Sequence, residues 1–536
     1  MHPVLIRINK RYISVSISFR RARATTLVCI TIMSLGACTP PSREPVATID
    51  TGQLEGVRHD DVTAFKGIPF AASTGGENRW HPPQPVAAWD GVRSAENYGP
   101  FCPQFRSELL WFELGEMSED CLTLNIWTPD HAEDAKLPVM VWIHGGGYVQ
   151  GSGNIARLNS PDLAREGVIL VTLNYRLTLF GFFAHPAMTE QQGDELLGNY
   201  GLMDLIAGLE WVQRNIEQFG GGPDNVTIFG ESAGGALVNY LMVMPPARDL
   251  FDKAISQSAS VGLAPDAKIR NRSGFQVPGE KAGKSFARRA GFKDSDDPIR
   301  DLRALSMDEV IALLRPTDRF TPMVEGQLIP DHVGVRFAAG EQNDVPYLTG
   351  GVSWEADLGR KIGGPFSPDV MHKIVPDADK ARLYPGLSGE TLADAVFGDL
   401  IIHSQSRYLG DMMGNVSSPT YQYYFTYVAD ERRATDPGVA HADEIAFVMR
   451  TLDADLEAPT ARDREVSKLV SSYWVQFAKN SDPNGPGLPE WPEYHADAPY
   501  VLEIGDEVML HEDHAPDRMA YHKQRGIANL EKARDK

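Results

Sequence analysis

Apolar positions along the chain follow two alternating rhythms. Continuous apolar runs of strand length recur at "LPVMVWI" (137–143), "VILVTLNY" (168–175), "NVTIFG" (225–230), "VPYLTG" (345–350) and "TYQYYFTY" (420–427). Their β-branched and aromatic residues suit a pleated, buried surface. Helical patterns lie between them. In "YGLMDLIAGLEWVQRNIEQF", Leu202, Leu205, Ile206, Leu209, Val212, Ile216 and Phe219 return at helical spacing and share one face. Buried strands alternating with such helices predict an α/β fold whose central, mostly parallel sheet is covered on both sides. Polar stretches at 265–301 and 359–379 read as insertions on that core, and no repeat or long low-complexity linker divides the chain.

Composition narrows the function classes. Hydrophobic residues make up 42% of the 536 positions, enough for a large packed core. The formal net charge of -21 argues against a nucleic-acid partner, because a phosphate backbone needs a basic face. Basic residues Lys10, Arg11, Arg20, Arg21 and Arg23 precede the apolar segment "TTLVCITIMSLGAC" (25–38), the order of an export signal. That segment is short for a membrane span. "LGAC" resembles a bacterial lipobox, which implies cleavage before Cys38, lipidation of its sulfur, and a Pro-rich tether over 39–46. The expected location is therefore the periplasm or cell envelope as a lipoprotein, otherwise the exterior, with the membrane touched only through the anchor. Of four cysteines, Cys29 lies in the signal and Cys38 at its end, leaving Cys102 and Cys121 as one even pair. In an oxidising compartment such a pair could close a loop worth about 3 kcal/mol.

One apolar strand, ending at Phe229, runs into "GESAGG", and an apolar helix starts at Ala236. The Gly-x-Ser-x-Gly string is weak evidence alone, but a strand before it and a helix after it make the setting of a nucleophile elbow at Ser232. A serine hydroxyl also needs a base for its proton and donors for the oxyanion. "VMVWIHGGGYVQGSG" supplies bare backbone at Gly145, Gly146 and Gly147 after a strand. Gly146, Gly147 and Ala233 are the candidate oxyanion donors, each typically worth about 3 to 4 kcal/mol in the transition state. The chain order serine, acid, histidine removes His144 and every other histidine before Ser232. His441 in "GVAHADEIAFV" stands out, since a polar loop carries it into an apolar run, although a surface-loop histidine reads the same way.

Many ordered segments resemble the type-B carboxylesterase and cholinesterase-like family of α/β-hydrolases, from about Thr51 to about Tyr494. They include "FKGIPFA", "RWHPPQPVAAWDGVR", "SEDCLTLNIWTP", "WIHGGGYVQGSG", "NYRL", "GNYGLMDLIAGLEWVQRNIEQFGGGPDNVTIFGESAGG", "AISQSAS", "VEGQLIPD", "HADEIAF" and "WVQFAKNSDPNG". The resemblance implies one α/β-hydrolase domain over 47–525, followed by a charged tail over 526–536. It implies Ser232 as nucleophile, His441 as base, Glu355 in "LTGGVSWEADLG" as acid, and a Cys102–Cys121 disulfide. Around the acid the family usually reads Asn-x-Asp-Glu-Gly, whereas Val352, Trp354 and Ala356 stand here, with Asp357 as the alternative acid. Ala442 replaces a usual glycine and Gly222 a usual aspartate.

The implied activity is hydrolysis of small carboxylic esters, short to medium chain or aryl, through an acyl-enzyme that needs no metal or cofactor. Because the base must be neutral, activity is expected to fall on the acid side near pH 6 to 7. Glu231 is a candidate organiser of buried charge or water. Trp111, Phe112, Tyr148 and Trp354 are candidate pocket linings, and Trp111 is also a candidate for cation-π binding like that of the cholinesterase cysteine loop. The alternatives are a hydrolase of amides, carbamates, lactones or polyesters, and a non-catalytic adhesion module of the same family.

Overall fold

The computed structural model describes residues 45–105, 112–130, 135–190, 197–274 and 276–534. Cys38, the signal segment and Trp111 lie outside them.

Eleven strands form the main sheet among the described residues. In chain order they are β1 (Val57–His59), β2 (Val62–Pro69), β3 (Thr123–Pro129), β4 (Leu137–Ile143), β5 (Ile169–Leu173), β6 (Gly221–Glu231), β7 (Lys253–Gln257), β8 (Tyr347–Val352), β9 (Thr420–Phe425), β10 (Val501–Ile504) and β11 (Val508–His511). Across the sheet the order is β11-β10-β9-β8-β7-β6-β4-β5-β3-β2-β1. The centre from β5 to β10 is parallel, as the sequence predicts. Both flanks are antiparallel, so the sheet is mixed.

The apolar runs are continuous because the central strands are buried on both faces. Val139, Val141 and Ile143 of β4 enter one core and Met140 and Trp142 the other, following the two-residue period of a strand. The first core takes α1 (Tyr200–Asn215) and α2 (Ala233–Val243); the second takes α5 (Glu444–Met449) and α6 (Ala461–Asn480). Between β8 and β9, α3 (Ala356–Ile362) and α4 (Gly389–Gly398) belong to a helical insert with its own small core of Ala356, Met371, Ala393 and Phe397.

Two expected boundaries move. The tether reading over 39–46 ends early, because Val46 already pairs with Glu55 in a separate three-stranded sheet. The expected charged tail at 526–536 is, through Arg534, the second half of helix α7 (Pro516–Arg534). Met519, His522, Gly526, Leu530 and Ala533 form its buried stripe, and Lys268 Nζ donates to the Ala533 carbonyl at 2.9 Å. Between them Arg525, Glu531 and Lys532 face outward, while Lys523 pairs with Asp411 at 2.5 Å.

Strand register builds the site. Ile143 pairs with Gly230, Glu231 with Gln257, Gln257 with Gly350, and Val352 with Phe425. The carboxyl ends of β4, β6, β7 and β8 therefore reach one edge of the sheet together, where Gly145, Ser232, Ser258 and Glu355 follow.

Candidate active site

Ser232 is the single residue between β6 and α2, held at φ 56° and ψ -122°. A non-glycine residue there is strained, and the surroundings must impose it. They do so through close approach: a Cβ added at Gly234 would lie 2.0 Å from the Ile143 carbonyl oxygen, and one at Gly230 2.5 Å from the same atom. Only glycine lets strand and helix close to this distance. The Ser232 N–H donates to the Gln257 carbonyl at 2.9 Å, while the residue remains partly exposed.

The glycine turn after β4 folds against this corner. Gly146 has φ 103°, and its carbonyl accepts from the N–H groups of Val149 and Gln150, both at 3.1 Å. A Cβ on Gly145 would stand 3.3 Å from the Ser232 Cβ, which places the turn beside the serine. Ala233 is the first residue of α2, so its N–H has no acceptor within the helix. His144 is buried, stacked on Tyr175, and pushed down to about pKa 4 by that burial. It is a neutral wall of the turn.

Glu355 and His441 meet on the other side. The imidazole Nδ1–H donates to Glu355 Oε2 at 2.5 Å, with the carboxylate side chain fully buried. The other carboxylate oxygen accepts from Ser258 Oγ and the Val352 N–H, both at 2.9 Å. Burial alone would raise this carboxyl; His441, His403 and the Val352 N–H outweigh it and hold Glu355 below the usual carboxylate range. The alternative acid, Asp357, instead pairs with the exposed Lys361 at 2.6 Å. The base loop is fixed from behind by Arg157, whose guanidinium donates to the Ala442 carbonyl and pairs with Asp455 at 3.0 Å.

Two further buried carboxylates stand near the imidazole. Glu231 Oε1 lies 3.0 Å from His441 Nε2, but neither atom makes a hydrogen bond. Glu444 accepts from Gln257 Nε2 at 3.1 Å, and Gln257 Oε1 accepts from Trp474 Nε1 at 3.0 Å. Burial, reinforced by the charge of Glu355, pushes Glu231 up to about 7 and Glu444 up to about 8. Burial pushes His441 down, but Glu231, Glu355 and Glu444 together push it up harder, so the acid limb is expected above the pH 6 to 7 read from the sequence. The site thus keeps one firmly ionised carboxylate, on the Nδ1 side, and two that take up protons near neutrality. Ser258, Gln257 and Glu444 carry no sequence signal of their own. The first two lie in "AISQSAS" and the third three residues after His441, but their use depends on strand register.

A pH prediction follows. Glu231, pushed up to about 7, carries its negative charge only as the pH rises past neutrality; replacing it by Gln removes that charge beside His441, so there the imidazole loses its proton more readily. The acid limb of kcat/KM should move to lower pH by about one unit. A pH-rate profile with an unmoved limb would remove Glu231 from the electrostatics of the base.

The pocket candidates separate. Phe112 is half-buried and stacks on Phe101 at 6.0 Å, next to the Cys102–Cys121 disulfide loop. Tyr148 packs edge-on against Phe182 at 5.7 Å, and its carbonyl accepts from the Thr178 N–H. Trp354 turns its indole toward the helical insert. Among the described residues, no group of three or more His, Cys, Asp or Glu is arranged to hold a metal ion.

Comparison with known proteins gives the family. A model described as the carboxylesterase family matches residues 43–365 and 385–522. The chain belongs to the carboxylesterase family. It is 33% identical over 483 residues to fumonisin B1 esterase of Sphingopyxis macrogoltabida, covering 85% of this chain and 86% of that protein. It is 33% identical over 494 residues to para-nitrobenzyl esterase of Bacillus subtilis, covering 87% and 96%. A solved PNB esterase structure superposes with TM-score 0.77 at 29% identity, covering 90% of this chain and 99% of that one. The carboxylesterase described here is accordingly a carboxylic ester hydrolase with the α/β-hydrolase fold.

Proposed function

We propose that Ser232, His441 and Glu355 carry out a two-step acyl transfer on small carboxylic esters of short to medium chain or with aryl leaving groups. The observation that carries the reading is the Glu355–His441 hydrogen bond at 2.5 Å, in a chain that also holds Ser232 at a strained corner. Glu355 keeps the imidazole proton on Nδ1, which leaves Nε2 free to take the hydroxyl proton of Ser232. The alkoxide attacks the ester carbonyl, and the N–H groups of Gly146, Gly147 and Ala233 receive the oxyanion. The imidazolium then passes its proton to the departing alcohol. Water, activated by the same Nε2, cleaves the acyl-enzyme and restores the serine.

Glu231 matters for the proton's position. An ionised carboxylate 3.0 Å from Nε2 would hold a proton on the wrong nitrogen. Burial and the charge of Glu355 favour its neutral form, which removes that competition. Support for the substrate class comes from relatives named for para-nitrobenzyl and fumonisin B1 esters. Hydrolysis of p-nitrophenyl acetate, butyrate, octanoate and palmitate tests it. The highest kcat/KM is expected on acetate or butyrate, and a maximum at palmitate would reject this class in favour of long-chain lipid esters.

A further inference from the structure

We propose that Trp354 and Asp394 are positioning residues for the catalytic acid, through which the helical insert holds the Glu355 loop in register with the His441 loop. The inference rests on Glu355 and His441 acting as acid and base. Strand β8 ends at Val352 and helix α3 begins at Ala356, so Ser353, Trp354 and Glu355 form a short link between them. That link lies parallel to 439–441. Trp354 bridges Ala440, its N–H donates to the Val439 carbonyl at 2.8 Å, and the Val439 N–H donates to Ser353 Oγ at 2.9 Å. Each partner of the bridge immediately precedes a reacting residue, Glu355 on one side and His441 on the other. Gly438 lets the strands approach, since a Cβ there would lie 3.0 Å from the Trp354 Cβ and 2.9 Å from Ser353 Oγ.

So short a bridge needs an outside anchor, and the indole supplies one. Trp354 Nε1 donates to Asp394 Oδ2 on α4 at 3.1 Å. Asp394 is itself gripped by Arg360 of α3, which donates to both of its carboxylate oxygens at 2.9 Å. The same guanidinium reaches Glu390 at 2.9 Å. Loop, α3 and α4 are therefore triangulated on one carboxylate, and the indole ring packs against the insert's small core. This is the position at which the family pattern has aspartate and this chain has tryptophan. The departure adds a tie from the acid loop to Asp394, beside the contacts α3 and α4 already make at Glu355: its carbonyl accepts from the Leu358 N–H at 3.2 Å, and a Cβ on Gly398 would lie 3.8 Å from the Glu355 Cβ.

The test compares Trp354→Phe, Asp394→Ala, their combination, and Asp394→Asn on p-nitrophenyl butyrate, with active sites counted by organophosphate titration. Each single loss should lower kcat about tenfold and leave KM within about twofold, as expected when one aligning hydrogen bond goes. The acid limb should move to lower pH, because a loosened Glu355 supports less charge on His441. The combination should be no worse than either single variant. Asp394→Asn keeps a side-chain oxygen for the indole and should recover most of kcat. A purely structural role would lower Tm while leaving kcat per titrated site and the acid limb unchanged, and that result overturns the proposal. Multiplying losses in the combination would also overturn it. Ser232→Ala and Glu355→Gln run alongside: activity retained in those two defeats the triad reading itself. Inactivity there with a normal Trp354→Phe defeats only the positioning role.

Discussion

Ser232→Ala should abolish turnover while leaving the fold intact. The two side chains share a Cβ, so the substitution removes one oxygen from a partly exposed position and creates no cavity in either core. Alanine meets the same strain at φ 56°, which the close contacts of Gly230 and Gly234 with Ile143 continue to impose. Thermal stability should therefore match the wild type within about 1 kcal/mol. In the proposed mechanism activity depends on that oxygen, which forms the acyl-enzyme. Removal of a triad serine typically costs on the order of 10⁶ in kcat, the remainder being sustained by oxyanion donors and binding. Measured on p-nitrophenyl butyrate, kcat/KM should fall at least about 10⁴-fold, and the variant should take up no organophosphate. Turnover within about tenfold of wild type would show that another group attacks the ester.

The parts of this architecture legible in the sequence are those encoded by local pattern. The central strands announce themselves because both faces are buried, which turns the two-residue alternation into uninterrupted apolar runs such as 137–143. The corner at Ser232 is legible because strand, glycines and helix are contiguous. The flanking strands β1, β2 and β3 are not, since short or half-polar segments gain strand character only from a neighbour. Helix α7 hides for a related reason: its buried stripe is Met519, His522, Gly526, Leu530 and Ala533, in which a histidine, a glycine and an alanine accompany only two large apolar residues. The site divides in the same way. Ser258, Gln257 and Glu444 meet the acid and base through parallel pairing of β6, β7 and β8, and Trp354 meets Asp394 across 40 residues. No spacing rule encodes such contacts. His441 and Glu355 were reachable through resemblance rather than through pattern, because a loop histidine and a loop carboxylate look alike wherever they occur.

Glu355→Gln should also cripple turnover, less severely than losing the serine and by a different route. Glutamine preserves the shape of the buried side chain, and its carbonyl can still accept from Ser258 and the Val352 N–H. Its amide then presents N–H to His441 Nδ1, where a donor already stands. The imidazole answers by moving its proton to Nε2, so that Nδ1 can accept. That tautomer has no lone pair for the hydroxyl of Ser232. In a comparable triad the same isosteric change lowers kcat about 10⁴-fold. The second carboxylate does not rescue the variant. With the charge of Glu355 gone, Glu231 is relieved of its repulsion and ionises more readily. Its oxygen sits 3.0 Å from Nε2, so the anion stabilises the proton on the nitrogen that should be free. A loss of about 10³- to 10⁴-fold in kcat, with KM little changed, is therefore expected. Adding Glu231→Gln should recover part of it by withdrawing that anion. Proton NMR of the imidazole N–H resonances checks the tautomer directly: the signal of the Nδ1 proton, present in the wild type, should be replaced by one on Nε2. Survival of the Nδ1 signal together with full activity would mean that Ser258 and the backbone, rather than the carboxylate, orient the base.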